Sequence, residues 1–185
     1  RTADLPSTIR QSLAEKRPGM DPPAASAATG YSMSNCQTGL RGIPFGGFLI
    51  KRVVGLLQAE LPQLKTFATL SPVPGFAAWL KQERGDKAKP PSDREMKALA
   101  ARYLVSGRSD KGGVLDSVAR FHIGNGARLE AIHTGADMSA NGLRQSHGVM
   151  VNYVYDLAEI EANQWRAQHG AGDAPGEQAG DVHGG

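Results

Sequence analysis

Thr66–Phe76 reads TFATLSPVPGF. Phe67, Thr69 and Ser71 alternate with Ala68 and Leu70, and that period of two predicts a strand over about Lys65–Leu70. The following Pro72-Val73-Pro74-Gly75 cannot continue a strand ladder, because each proline lacks an amide hydrogen and the series favours a turn. Ser71 is thus a hydroxyl at the end of an apolar strand. Gly75–Arg84 (GFAAWLKQER) then predicts a short helix that packs Phe76 and Trp79–Leu80.

Upstream, NCQTGLRGIPFGG (Asn35–Gly47) runs into FLIKRVVGLLQAEL (Phe48–Leu61). Leu49, Val53, Leu56, Leu57 and Leu61 recur at helix spacing, and Pro62 ends the run. With a short strand expected at Tyr31–Ser34, the segment is a strand–helix–strand unit, which argues for an α/β fold. Further upstream a helix is expected at Pro6–Lys16, and the proline-rich Arg17–Ala28 reads as a loop.

Downstream, Ser92 with Glu95 forms a capping box opening a helix that carries Met96, Leu99, Ala100 and Tyr103 and fades at Gly107. Leu115–Phe121 reads as a helix that ends near Asn125-Gly126, and Arg128–His133 as a further helical turn. Val149–Tyr155 (VMVNYVY) is rich in strand formers and is the last strand; Tyr153 and Tyr155 share a face opposite Asn152. Leu157–His169 is helical, and the glycine-rich Gly170–Gly185 is expected to be disordered.

The totals narrow the function classes. The 185 residues suffice for one domain with a core, and 40% hydrophobic with 21% charged residues suits a globular protein. Lys81–Lys111 holds nine Lys/Arg against five Asp/Glu, whereas Asp156–Gly185 holds one against six. A basic middle with a net charge of only +3 favours an anionic ligand over a polyanion surface, and no nucleic-acid motif accompanies it. One cysteine, Cys36, permits no internal disulfide and points to a reducing compartment, here the cytoplasm. No apolar run is long enough to span a membrane. The chain opens at Arg1 without methionine, and we read it as a fragment of something longer.

Three features carry chemistry. Gly39, Gly42, Gly46 and Gly47 precede a helix, where bare backbone and a helix N-terminus suit a phosphate; Arg41 adds a cation. The same glycines equally suit a turn without ligand, and neither a Walker loop nor a dinucleotide fingerprint is present. Ser71 lacks a Gly-x-Ser-x-Gly elbow, so a hydrolase nucleophile is disfavoured; a plain Ser-Pro turn start is the commoner use. His122 is the candidate proton donor, or else a histidine balancing the helix dipole. His133 and Asp137 are four apart and expected to form a surface pair. No histidine shows zinc spacing, so no metal is expected.

Taken in order, YSMSNCQTGLRG, FLIKRVV, TFATLSPVPGF, ARFHIGNGA and GVMVNYVYDL resemble the catalytic domain of malonyl-CoA decarboxylases over roughly Ser7–Leu157. The resemblance implies an α+β, acetyltransferase-superfamily (GNAT-like) fold: a mixed twisted sheet with flanking helices, here truncated at its N-terminal edge. It makes residues 1–169 a partial catalytic domain and 170–185 a tail. It implies decarboxylation of malonyl-CoA to acetyl-CoA and CO2 in fatty acid and malonate metabolism, with no cofactor beyond the coenzyme A of the substrate. Ser71 and His122 match the family's catalytic pair, the serine gripping the malonyl carboxylate or relaying its proton and the histidine protonating the enolate. Arg41, Gly42, Ile43, Pro44, Phe45, Gly46 and Gly47 match its coenzyme A loop, and Ser32 and Tyr155 match further site positions. Pro44 replaces a glutamate of animal members, and Gly30 an aromatic of many. The family forms homo-oligomers through a helical domain that this sequence lacks. Two other readings use the same cleft: an acyl-CoA acyltransferase, or a coenzyme A-binding fragment without activity.

Overall fold

The structure, a computed structural model, describes residues 7–8, 27–31, 45–85, 89–109, 112–156 and 158–169, with the backbone alone at 31, 45–49 and 51. Four strands form one mixed sheet in the order β1-β2-β4-β3: β1 (Ala27–Tyr31), β2 (Thr66–Pro72), β3 (Arg128–His133) and β4 (Met150–Tyr155). β1 pairs parallel with β2, as the helical crossover between them requires, while β4 runs antiparallel to both β2 and β3. Six helices accompany the sheet among the described residues: α1 (Phe45–Glu60), α2 (Phe76–Arg84), α3 (Asp93–Ser106), α4 (Ser117–Gly124), α5 (Ala140–Ser146) and α6 (Ile160–His169).

The expected period of two in β2 and β4 sorts their side chains onto two faces. Phe67, Val151, Tyr153 and Tyr155 join Phe76, Tyr103, Leu104 and Ala119 in the main core. Leu70 and Met150, from the opposite face, meet Ala136 in a small separate cluster. β2 and β4, the two inner strands, are buried nearly throughout, which places Ser71 between core layers rather than at a rim.

Several expectations shift. The first strand lies at Ala27–Tyr31, upstream of Tyr31–Ser34, so the assumed loop ends earlier; Ser32–Ser34 fall outside the described residues. The expected Pro6–Lys16 helix, apart from Ser7 and Thr8, and the Gly170–Gly185 tail also fall outside them. Within α1 the buried positions are Ile50 and Val54, whereas Val53 and Leu56 face outward. The helix is apolar nearly all round, so two stripes fit its period and packing selects between them.

Arg128–His133 is a strand, not a helical turn. Its RLEAIH contains good helix formers, but pairing with β4 overrides that local preference. A bulge between Leu129 and Ala131 accommodates one extra residue in the ladder. Helix α5 had no clear sequence mark beyond its Ser139 cap, because Gly142 interrupts a short run. That glycine is required, since a Cβ there would lie 2.3 Å from the Asp137 side chain. The Ser92–Glu95 capping box on α3 forms as expected.

Helix α4 starts two residues later than expected and ends, as expected, at the Asn125-Gly126 exit, with His122 in its last turn. Asp116 sets the start: its carboxylate accepts from the Val118 and Ala119 amides, each at 2.9 Å. Gly126 sets the exit, with φ at 86° and its α-carbon packed on the Ile160 backbone of α6. A Cβ there would sit 2.4 Å from the Ile160 carbonyl oxygen. Replacing Gly126→Ala therefore combines left-handed strain with a backbone clash, and should cost more than about 1 kcal/mol. Urea denaturation should show a lowered midpoint with little change in slope, and an unchanged midpoint would contradict the packing described.

Candidate active site

The strand end and the helix end meet. Ser71 on β2 and His122 on α4 lie 51 residues apart in sequence, yet Ser71 Oγ and His122 Nε2 are 3.1 Å apart in a buried hydrogen bond. Ser71 donates its own hydroxyl to Thr69 Oγ1 at 3.0 Å, two residues back on the same strand face. With that proton committed, Nε2–H is the donor to Ser71. His122 Nδ1 then accepts from the Tyr155 hydroxyl at 2.7 Å. A single chain of hydrogen bonds thus runs Tyr155–His122–Ser71–Thr69 across β4, α4 and β2.

Packing fixes the imidazole further. The Tyr153 ring stacks on it at 4.5 Å between centroids with 17° between planes, and Phe121 meets it edge-on at 5.2 Å. His122 is 5% exposed. Burial disfavours its charged form and lowers its pKa from 6.5 to about 4. The sequence made His122 a candidate proton donor; desolvation makes it a neutral imidazole in the structure as it stands. Burial also raises the pKa of Tyr155, which therefore remains a phenol and a donor.

Asp116, 1% exposed, stands behind this chain. Besides capping α4, it accepts a long 3.3 Å bond from Tyr103. The Tyr153 hydroxyl is buried and has no hydrogen-bond partner among the described residues.

The expected residues divide as follows. Ser71, His122 and Tyr155 converge. Ser32, Arg41, Gly42, Ile43 and Pro44 lie outside the described residues. Phe45, Gly46 and Gly47 form the first turn of α1 rather than part of a loop. His133 makes no pair with Asp137; its Nε2 lies 2.6 Å from Asn152 Oδ1, on the sheet face away from Ser71. The reason is the strand: as part of β3, His133 registers with Met150 and points along the same face as Asn152. Thr69, Tyr153 and Asp116 escaped the sequence reading. Thr69 had a signal, its i−2 position on the face of Ser71; Asp116 had another, an acid directly before a helical run. Among the described residues no group of three or more His, Cys, Asp or Glu could hold a metal ion, and no helix is long and apolar enough to cross a membrane.

The family model described as the malonyl-CoA decarboxylase C-terminal domain matches residues 1–95 and 87–173. The chain belongs to this family. It is 32% identical to the mitochondrial malonyl-CoA decarboxylase of Rattus norvegicus over 88% of its own length, but spans only 42% of that relative. The malonyl-CoA decarboxylase of Rhodopseudomonas palustris superposes on it with a TM-score of 0.81 at 42% identity, covering 92% of this chain and 45% of that one. A GNAT-like decarboxylase, GphF, in complex with isobutyryl-CoA, superposes with a TM-score of 0.53 at 20% identity, over 82% of this chain and 64% of that one. That likeness bears on fold alone, and agrees with the GNAT-like mixed sheet expected for malonyl-CoA decarboxylases.

Two outcomes follow for stability. A histidine whose folded pKa is depressed stabilises the fold above its unfolded pKa, so stability should fall as pH drops from 6.5 through about 4. The full loss is on the order of 3 kcal/mol, and replacing His122→Asn should flatten that part of the pH–stability curve. Removing the unpartnered hydroxyl by Tyr153→Phe should leave stability unchanged or raise it by up to about 1 kcal/mol. Tyr155→Phe, which strips Nδ1 of its donor, should lower stability by about 1–2 kcal/mol. Equal effects of the two Phe substitutions in thermal unfolding would contradict the hydrogen-bond chain.

Proposed function

We propose that this chain carries the decarboxylating site for malonyl-CoA, with Ser71 and His122 as its reacting pair. The supporting observation is their buried hydrogen bond at the end of β2, in a chain of this family. The chemistry asks for little else. The thioester carbonyl accepts the electron pair of the breaking carbon–carbon bond, so CO2 leaves and an enolate of acetyl-CoA remains. One proton added to carbon completes the balance.

Positioning is the first requirement: the breaking bond must stand perpendicular to the thioester plane. In this reading the Ser71 hydroxyl grips the malonyl carboxylate, exchanging its bond to Thr69 for one to substrate. Proton delivery is the second, and it falls to His122. The bound carboxylate adds a negative charge beside the imidazole, which opposes the effect of burial and favours the imidazolium. After CO2 departs, that proton passes to the enolate carbon. Tyr155 holds the ring through Nδ1 during the transfer. The segment Arg41–Gly47, leading into the first turn of α1, receives the pyrophosphate at a helix N-terminus. Residues 1–169 act as the catalytic unit, without a metal or organic cofactor. We assign the reaction to malonate and fatty acid metabolism and the chain to the cytoplasm, a reducing compartment that suits its single cysteine; the rat relative is mitochondrial by name.

Incubation with malonyl-CoA, following CO2 and acetyl-CoA together, is the direct test. His122→Asn should abolish turnover with coenzyme A affinity little changed. Ser71→Ala should lower turnover by a factor on the order of 10–1000. Unchanged turnover in the His122 variant would refute the assignment. Binding of malonyl-CoA with no product at all would instead favour an inert coenzyme A-binding fragment.

A further inference from the structure

Tyr103 of α3 meets the supports of both reacting side chains. It is buried, and its ring packs with Phe76 and Trp79, the centroids 5.7 and 5.3 Å away. Its hydroxyl donates to Asp116 Oδ2 at 3.3 Å. Burial first, and the Asp116 carboxylate second, hold the phenol pKa above its ordinary value, so the hydroxyl keeps its proton. Asp116 in turn lies six residues before His122 and fixes the start of α4 through the Val118 and Ala119 amides.

The same phenolic oxygen abuts Gly75. A Cβ at Gly75 would lie 2.3 Å from it, whereas the next atoms, Tyr103 Cζ and Asp116 Oδ2, would be 3.5 and 3.8 Å away, in ordinary contact. The Gly75 backbone does not ask for glycine: φ of −89° and ψ of −8° belong to the third position of a type I turn, which most residues adopt. The hydroxyl alone excludes a side chain there. Gly75 lies four residues after Ser71, in a turn that is tied down. The Phe76 amide donates to the Val73 carbonyl at 3.1 Å, and both side chains are fully buried. A phenylalanine would fill the same ring cluster and release Gly75. The oxygen therefore stands where the chain leaving Ser71 meets the chain entering α4.

We propose that Tyr103 is a positioning residue of the site: its hydroxyl, set against Gly75 and Asp116, fixes the spacing between the strand end that carries Ser71 and the helix that carries His122. It acts through those two contacts and not on the substrate. Its part in decarboxylation rests on the reading of Ser71 and His122 given above; the spacing itself does not.

Tyr103→Phe in the whole chain removes the oxygen and keeps the ring. Well below the melting temperature, kcat for malonyl-CoA should fall at least ~10-fold, because a displaced pair slows the reaction. KM should stay within about twofold, since substrate binding is not touched. Nitrogen-15 NMR of His122 without substrate should show the Nε2 signal shifted, its bond to Ser71 having changed length. Gly75→Ala then isolates the oxygen. Alone it should lower the melting temperature; in the double variant G75A/Y103F the Cβ has room, and that loss should vanish. An unshifted Nε2 signal in Tyr103→Phe would overturn the proposal, as would parental kcat in an active chain or an equal loss from Gly75→Ala in both backgrounds. A shifted signal in a chain whose parent turns over no malonyl-CoA would uphold the spacing role and refute the decarboxylase reading alone.

Discussion

The hydrogen bond between Ser71 and His122 constrains the rest of the structure. It joins an inner strand to a helix that lies 51 residues away, and it tolerates errors of only a few tenths of an ångström. Its two ends are held by different means. Ser71 is fixed by the ladders on both sides of β2, parallel to β1 and antiparallel to β4. His122 is fixed by the rotation of α4, which Asp116 sets at one end and Gly126 at the other. The two tyrosines of β4 then close on the imidazole, one at its edge through a hydroxyl and one on its face through a ring.

Placing this pair inside the core determines its electrostatics. Polar groups in a core are tolerated when each has a partner, and the Tyr155–His122–Ser71–Thr69 chain meets that condition with neutral groups alone. Asp116 is the buried acid nearby, and it is answered by the free amides of α4 rather than by a cation. The opposite sheet face repeats the principle with Asn152, which bonds His133 and the Thr69 carbonyl. Thr69 thus serves both faces: its hydroxyl holds Ser71, and its carbonyl holds Asn152.

The sequence made the elements with chemical punctuation readable. The Ser92–Glu95 box and the alternation in β2 each have one structural meaning and form as read, whereas the Pro-Val-Pro-Gly stop acts two residues later than read, because β2 stays in register with β4 through Ser71 and Pro72. Arg128–His133 has no such mark; its residues favour helix, and only β4 makes it a strand. The stripe of α1 was ambiguous for a related reason, since apolar residues on every side leave the choice to tertiary packing. The site divides along the same line. The pairing of Ser71 with His122 was legible through family resemblance, not through spacing, because no period links positions so far apart. Thr69 and Asp116 had local signals that single residues in a pattern do not make loud, and the face-to-face contact of Tyr153 had none.

β2 and β4 are the inner strands of the sheet, buried on both faces and paired along both edges. Backbone amides in such strands exchange with solvent deuterium only when the whole domain opens. Ser71 and Tyr155 are therefore rooted in the slowest-exchanging part of the molecule, and local fraying does not uncover them.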